Sequence, residues 1–125
     1  TRYIREHLKP GEVVAVTDAG QISYELPLDV HVLDMFGLTD AHIAHLKPQF
    51  PGGILGRGDG FGKWDVDYVL SRSPRFIQVQ IKADEQGNLI ATNTSNRLLI
   101  GDPRFKARCR MLPYPETFGL FECVW

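Results

Sequence analysis

The chain has 125 residues, 43% of them hydrophobic, which is enough apolar material for one core, so we expect a single soluble domain over residues 1–125. Its 14 basic and 15 acidic residues give a formal net charge of −1, and the basic residues form no stripe that would follow a phosphate backbone. We therefore expect no nucleic-acid partner. No apolar run approaches the roughly 20 residues that cross a bilayer, and residues 1–12 are too polar for a secretion signal. The sequence opens at Thr1 and enters a helical pattern at once, so we expect a piece excised from a larger protein.

The first third of the chain alternates short helical and strand patterns. Residues 1–8 have helical spacing that a Pro-Gly pair stops. Residues 13–17 form an apolar, β-branched run, typical of a strand covered on both faces. Residues 22–26 fit one or two helical turns, and a second strand follows over residues 30–33.

Two further helices and a third strand come next. Thr39 and Asp40 can cap a helix that ends before Pro48, and residues 63–71 carry a helical apolar stripe. Residues 76–81 alternate as a third strand. The order of these elements favours an α/β fold with a Rossmann-like, mainly parallel sheet, right-handed crossovers and flanking helices.

The C-terminal part predicts an antiparallel hairpin formed by residues 105–112 and 118–125. If the turn centres on Glu116, Cys109 and Cys123 lie opposite one another and face inward. A disulfide and two packed thiols are both compatible with this arrangement. Two cysteines alone indicate neither a disulfide scaffold nor a metal site.

Motifs for cofactors, metals and catalysis fail on spacing. The Gly-rich loop over residues 52–62 does not fit the dinucleotide fingerprint and follows a helix, so we predict no cofactor. The Arg-Gly-Asp triplet inside it is read as chance. His42 and His45 lack further ligands nearby, so we predict no metal. No serine lies in a nucleophile-elbow context, so we assign no catalytic residue. Asn93 begins an N-glycosylation sequon, which matters only in a eukaryotic secretory pathway.

Two acids follow the first two strands directly. Asp18 closes the first strand and Asp34 the second, and ligands of open parallel sheets bind beyond the carboxyl ends of the strands. Aspartate in this position also caps the helix that follows, and Asp65 and Asp67 likewise suit a helix N-terminus. Both interpretations, ligand contact and capping, stay open.

Several segments carry a family resemblance. These are residues 14–20 with Tyr24, the Asp-x-x-Gly-Leu-x-Asp segment over 32–40, the Lys-Trp-Asp-x-Asp-Tyr segment over 63–68, and residues 74–77. Together they resemble the C-terminal extracytoplasmic domain of bacterial multi-pass membrane glycosyltransferases of the GT-C type, which include arabinofuranosyltransferase-like and mannosyltransferase-like proteins. The likeness covers roughly residues 1–80. Many of those relatives carry a histidine just before the lysine of the second segment, where this chain has Phe61 and Gly62.

The resemblance implies a parent protein that transfers a sugar from a polyprenyl-phosphate donor at the outer, periplasmic face of a bacterial inner membrane. The catalytic acid of such proteins lies in another part of the polypeptide. This domain would then pack on the transmembrane portion of the same polypeptide, order its catalytic loops, or contact the glycan or lipid-linked sugar.

Sheet geometry and the resemblance together predict one ligand-binding concavity. We expect the carboxylates and the lysine to surround it and two rings to cover a sugar. The predicted site consists of Asp18, Tyr24, Asp34, Asp40, Lys63, Trp64 and Asp65.

Other functional classes stay open. A free-standing carbohydrate-binding module would expose Trp64, Tyr68 or Trp125 as stacking platforms, whereas a structural interaction domain would bury these rings. A small soluble enzyme would gather strongly perturbed acids in one deep pocket.

Overall fold

The computed structural model describes residues 1–37, 39–47, 63–113 and 117–125. The Gly-rich loop and its Arg-Gly-Asp triplet lie outside these residues. None of the helices within them is both long enough and apolar enough to cross a membrane. The helices and strands are α1 (Arg2–His7), β1 (Val13–Val16), α2 (Ala19–Glu25), β2 (His31–Asp34), α3 (Ala41–Ala44), α4 (Val66–Ser71), β3 (Phe76–Gln78), β4 (Ile81–Ala83), β5 (Leu89–Ala91), α5 (Thr94–Gly101), α6 (Pro103–Arg108), β6 (Cys109–Met111) and β7 (Leu120–Cys123).

The main sheet has five strands in the order β2-β1-β3-β7-β6. Strand β1 pairs in parallel with β2 and with β3, whereas β7 pairs antiparallel with both β3 and β6. Strands β4 and β5 form a separate antiparallel pair. Antiparallel pairings therefore outnumber parallel ones among the described strands. The helices are also short, with at most eight residues. The predicted Rossmann-like, mainly parallel sheet is wrong.

The sheet is mixed because the chain leaves it after β3. Residues 76–81 alternate in the sequence, but the strand stops at Gln78. The backbone N–H of Val79 donates to the Gly119 carbonyl at 2.9 Å, and that of Gln80 donates to the Asn96 side chain at 2.8 Å. The chain then turns into the β4–β5 ribbon. Strand β7 occupies the place beside β3 that a further parallel strand would need.

Alternate residues of the central strands face two apolar layers. Val14 and Val16 are fully buried on the side covered by α1 and α2. Ala15 and Ile77 are fully buried on the side covered by α3 to α6. A strand with helices on both faces reads as a continuous apolar run, which explains the composition of β1.

The C-terminal hairpin carries a disulfide. Cys109 and Cys123 are cross-strand partners and are bonded to each other. Backbone bonds between Arg108 and Val124, and between Leu112 and Leu120, flank the pair. The cysteines therefore occupy a non-hydrogen-bonded position, where the two strands approach most closely, and their Cα atoms are 4.0 Å apart. The predicted opposition of the two cysteines is confirmed. The first half of the predicted strand over 105–112 is instead helix α6.

Candidate functional site

A cleft of about 550 Å³ opens at the carboxyl ends of the parallel strands. The pairing of Val16 with Asp34 brings the ends of β1 and β2 to the same edge of the sheet. The turn into α2 and the loop after β2 form its walls. We call it the carboxyl-edge cleft, and its lining consists of residues 17–20, Ser23, Asp34, Phe36, Thr39 and Gln80.

Asp34 organises the loop after β2. Its carboxylate is only 1% exposed and accepts hydrogen bonds from the backbone N–H groups of Phe36 and Thr39, at 3.0 and 2.9 Å. The hydroxyl of Thr39 donates to it as well, at 3.3 Å. Gly37 has a φ of 82° in this loop, and a Cβ there would lie 2.7 Å from Ile43 Cγ2. Asp34 thus mainly holds the backbone of its own loop, while the N-cap of the following helix, α3, is Asp40. Asp34 also lies in the wall of the cleft.

The other polar groups of the cleft are more accessible. Asp18 is exposed and is the N-cap of α2, where its Oδ1 accepts from the Gly20 N–H at 3.3 Å. Ser23 and Thr39 are exposed, and the side chain of Gln80 is half-buried. The partly buried ring of Phe36 completes the lining. The cleft therefore combines hydroxyls, an amide, a carboxylate and an aromatic ring.

A buried polar network, which the sequence analysis missed, joins the floor of the cleft to α5. Asn96 is fully buried, and its Oδ1 accepts from the Gln80 N–H, from the Thr17 hydroxyl at 3.2 Å and from the Asn93 amide at 3.0 Å. A backbone N–H can only donate, so this contact fixes the orientation of the Asn96 amide. Among the described residues, Asn96 Nδ2 has no partner. The spacing of Asn93 and Asn96 around the start of α5 was the available signal.

The network also buries the asparagine of the N-glycosylation sequon. Asn93 is fully buried, and its Oδ1 accepts the Asn96 N–H at 2.8 Å as the N-cap of α5. The folded domain therefore presents no accessible amide at this position.

Asp40, Lys63 and Asp65 do not line the carboxyl-edge cleft. They join α3 to α4 together with His42 and Tyr68, and we call these five residues the α3–α4 latch. The two acids are the N-caps of the two helices. His42 Nε2 lies 2.8 Å from Asp65 Oδ2, the Tyr68 hydroxyl donates to Asp40 at 3.0 Å, and Lys63 Nζ donates to the Ala44 carbonyl at 2.7 Å. The His42 and Tyr68 rings stack at 4.0 Å.

The shifted pKa values lie in the latch and at the start of α6. Burial raises the pKa of Asp65, but the hydrogen bonds from His42 and from the Tyr68 N–H lower it by more, so the net shift is downward. Burial and the hydrogen bond to Asp40 raise the pKa of Tyr68. At the surface, hydrogen bonds from Arg104 lower the pKa of Asp102 to about 2. None of these three side chains is part of the cleft lining.

The aromatic rings expected to contact a sugar lie elsewhere. Tyr24 is 91% exposed on α2 and is not in the cleft lining. Trp64 is half-buried beside Met35, Val69 and Leu99. Trp125 is 41% exposed, and its indole N–H donates to the Pro74 carbonyl at 2.8 Å.

A second cleft of about 490 Å³ lies at the opposite edge of the sheet, between the start of β1 and the end of β7. Arg75 bridges Glu12 and Glu122 there, at 3.2 and 3.3 Å. We call it the amino-edge cleft. The charges at its centre are paired with one another, so we use this cleft as a control surface that is not expected to bind a sugar.

The described residues contain no group of three or more His, Cys, Asp or Glu side chains able to hold a metal ion. Comparison with known proteins places the chain in a family without assigning it an activity. No curated protein and no solved structure matches the chain. Residues 1–115 match the family described as "Domain of unknown function (DUF8728)", and because the match spans more than half of the chain, the protein belongs to that family.

Proposed function

We propose that the chain is an extracytoplasmic accessory domain of a membrane glycosyltransferase, and that its carboxyl-edge cleft contacts a glycan. The observation that carries the glycan contact is the composition of this cleft. Carboxylate, hydroxyl and amide groups exchange hydrogen bonds with sugar hydroxyls, and the Phe36 ring offers an apolar surface to a sugar face.

The disulfide supports an extracytoplasmic location. Cys109 and Cys123 are bonded across the terminal hairpin, and such bonds persist mainly in oxidising compartments such as the bacterial periplasm. The connection to a membrane glycosyltransferase rests on the resemblance of the segments over residues 14–77. The transmembrane portion of the same polypeptide is the partner that this resemblance implies.

The experiment is an NMR titration of the ¹⁵N-labelled chain with a panel of methyl glycosides and short glycans. We expect at least one ligand to shift the amide signals of residues 17–20, Ser23 and Thr39. Amides around Arg75 in the amino-edge cleft should not respond. If no member of the panel shifts the signals of the carboxyl-edge cleft, the glycan proposal is wrong.

A structural interaction domain is the second candidate, and the packing of two rings favours it. Trp64 is half-buried and lines a small cavity with core residues, and the ring of Tyr68 stacks on His42, so neither ring is fully exposed as a platform for a sugar. In this case the domain would support the parent protein without binding a glycan. The same titration separates the candidates, because only the first predicts a ligand-dependent shift.

A further inference from the structure

The charges of the carboxyl-edge cleft are of one sign. Asp18 and Asp34 both line it, and no lysine, arginine or histidine is among the described lining residues. The cleft is therefore an unfavourable place for an anion, because like charges within a few ångströms repel one another and no basic side chain among the described lining residues offsets them.

The hydrogen-bonding capacity of the two acids differs. Asp34 is only 1% exposed and both of its oxygens accept N–H groups of its own loop, so it contributes charge but is poorly accessible to a ligand. Asp18 uses only Oδ1, in a long bond to Gly20, and its Oδ2 makes no hydrogen bond to the described residues. Asp18 is also exposed. Asp18 therefore has a carboxylate oxygen that can accept a hydrogen bond from a ligand.

The remaining polar groups suit uncharged hydroxyls. The Ser23 hydroxyl and the Gln80 amide can each accept and donate, whereas the Thr39 hydroxyl, which donates to Asp34, can accept. A phosphate needs several donors, and proteins usually supply them through arginine, lysine or clustered backbone N–H groups. A sugar hydroxyl can donate to Asp18 and accept from a neighbouring hydroxyl. A divalent cation prefers more oxygen ligands than the two carboxylates supply.

We infer that the carboxyl-edge cleft binds an uncharged sugar, as the glycan acceptor of a transfer reaction would present, and excludes the phosphorylated end of a lipid-linked donor. This inference rests on the proposed function, since it specifies which sugar chemistry the same cleft accepts. Asp18 is the residue that sets this preference.

The test compares a sugar with its phosphate ester at the same cleft. The ¹⁵N-labelled chain is titrated with methyl glycosides of mannose and arabinose and with the corresponding sugar 1-phosphates, and binding is followed at the amides of residues 17–20. We expect the phosphates to bind at least tenfold more weakly than the methyl glycosides. The difference should shrink in high salt, which screens the repulsion.

Two variants assign the effect. Asp18→Asn keeps an N-cap residue for α2 but removes the charge, so the preference for the uncharged sugar should fall to about threefold or less. Asp29→Asn is the matched control, because Asp29 is exposed just before the start of β2, at the end of this strand that lies away from the cleft. The preference of the Asp29→Asn variant for the uncharged sugar should equal that of the wild type. Equal or tighter binding of the phosphates by the wild type would overturn the inference but leave the glycan proposal standing. If no sugar, charged or uncharged, binds at the cleft, both the inference and the glycan proposal are wrong.

Discussion

Ser73 ends α4 in a backbone conformation that favours glycine. Its φ is 48°, its N–H donates to the Leu70 carbonyl, and Pro74 follows. A residue other than glycine in the left-handed region costs roughly 1–2 kcal/mol, and part of this is recovered by the lower flexibility of the unfolded chain. We therefore expect Ser73→Gly to raise the free energy of unfolding by about 0.5–1 kcal/mol in urea denaturation.

A serine two positions earlier provides the control. Ser71 lies within α4, and its hydroxyl donates to the Tyr68 carbonyl at 2.7 Å. Glycine inside a helix is unfavourable, so Ser71→Gly should lower the free energy of unfolding by about 0.5 kcal/mol. Effects of the same sign at both positions would contradict the role assigned to the backbone at Ser73.

At the scale of elements, the α3–α4 latch links stability to pH through Asp65. The pKa of Asp65 is lowered in the folded state, so folding favours the carboxylate. Its contribution to stability is present above about pH 4 and is lost as the pH falls through the lower, folded-state pKa. Asp65→Asn keeps a capping side chain but loses the charged partner of His42. We expect a loss of about 1 kcal/mol at pH 7 that shrinks below pH 4.

Urea denaturation of both proteins between pH 2.5 and 7 measures this difference. Asp67→Asn is the control on the same helix, because the Asp67 side chain is 84% exposed and pairs with Arg104 at the surface. An exposed pair of this kind is worth less than about 1 kcal/mol, and we expect a change below 0.5 kcal/mol. A difference between Asp65→Asn and the wild type that stays constant down to pH 2.5 would exclude the linkage to Asp65.

The terminal hairpin forms the β6 edge of the main sheet, and its disulfide closes a loop with a sequence separation of 14. A crosslink over such a loop restricts the unfolded chain and stabilises the fold by about 3 kcal/mol. We expect the double variant Cys109→Ala/Cys123→Ala to lose about that much in chemical denaturation. Dithiothreitol should destabilise the wild type by a similar amount and leave the double variant unchanged. Equal stability of the oxidised wild type and the double variant would contradict this expectation.

At the scale of the whole molecule, the parts that sequence reasoning predicted depend on local patterns. The apolar runs of β1 and β2 form two parallel neighbours, of which β1 is largely buried and β2 is buried in its second half, and this places Asp18 and Asp34 at one edge of the sheet. The capping role of Asp18 was visible for the same reason, since an N-cap is a local signal, whereas the helix after Asp34 is capped by Asp40.

The parts that were not predicted depend on distant contacts. Strand β3 ends at Gln78, and the next two backbone N–H groups, those of Val79 and Gln80, donate to the Gly119 carbonyl and to the Asn96 side chain. Gly119 has a φ of 77°, and a Cβ there would lie 2.5 Å from the Val79 carbonyl, so this approach depends on glycine. No local pattern near residue 79 encodes it. The latch is similar, because Asp40 and Tyr68 meet across 28 positions of sequence.

The domain as a whole is expected to bind without catalysing transfer. Acid–base catalysis needs a group with a free proton site beside the reacting atoms. In the carboxyl-edge cleft Asp34 is buried and held by hydrogen bonds from its own loop, and the described lining offers only Asp18 as a further titratable group. His42 is paired with Asp65 in the latch. We therefore expect the isolated chain, incubated with polyprenyl-phosphate sugars and glycan acceptors, to form no product detectable by mass spectrometry under conditions where the titration shows binding. Product formation that is abolished by Asp18→Asn would instead make Asp18 a catalytic residue and the chain an enzyme in its own right.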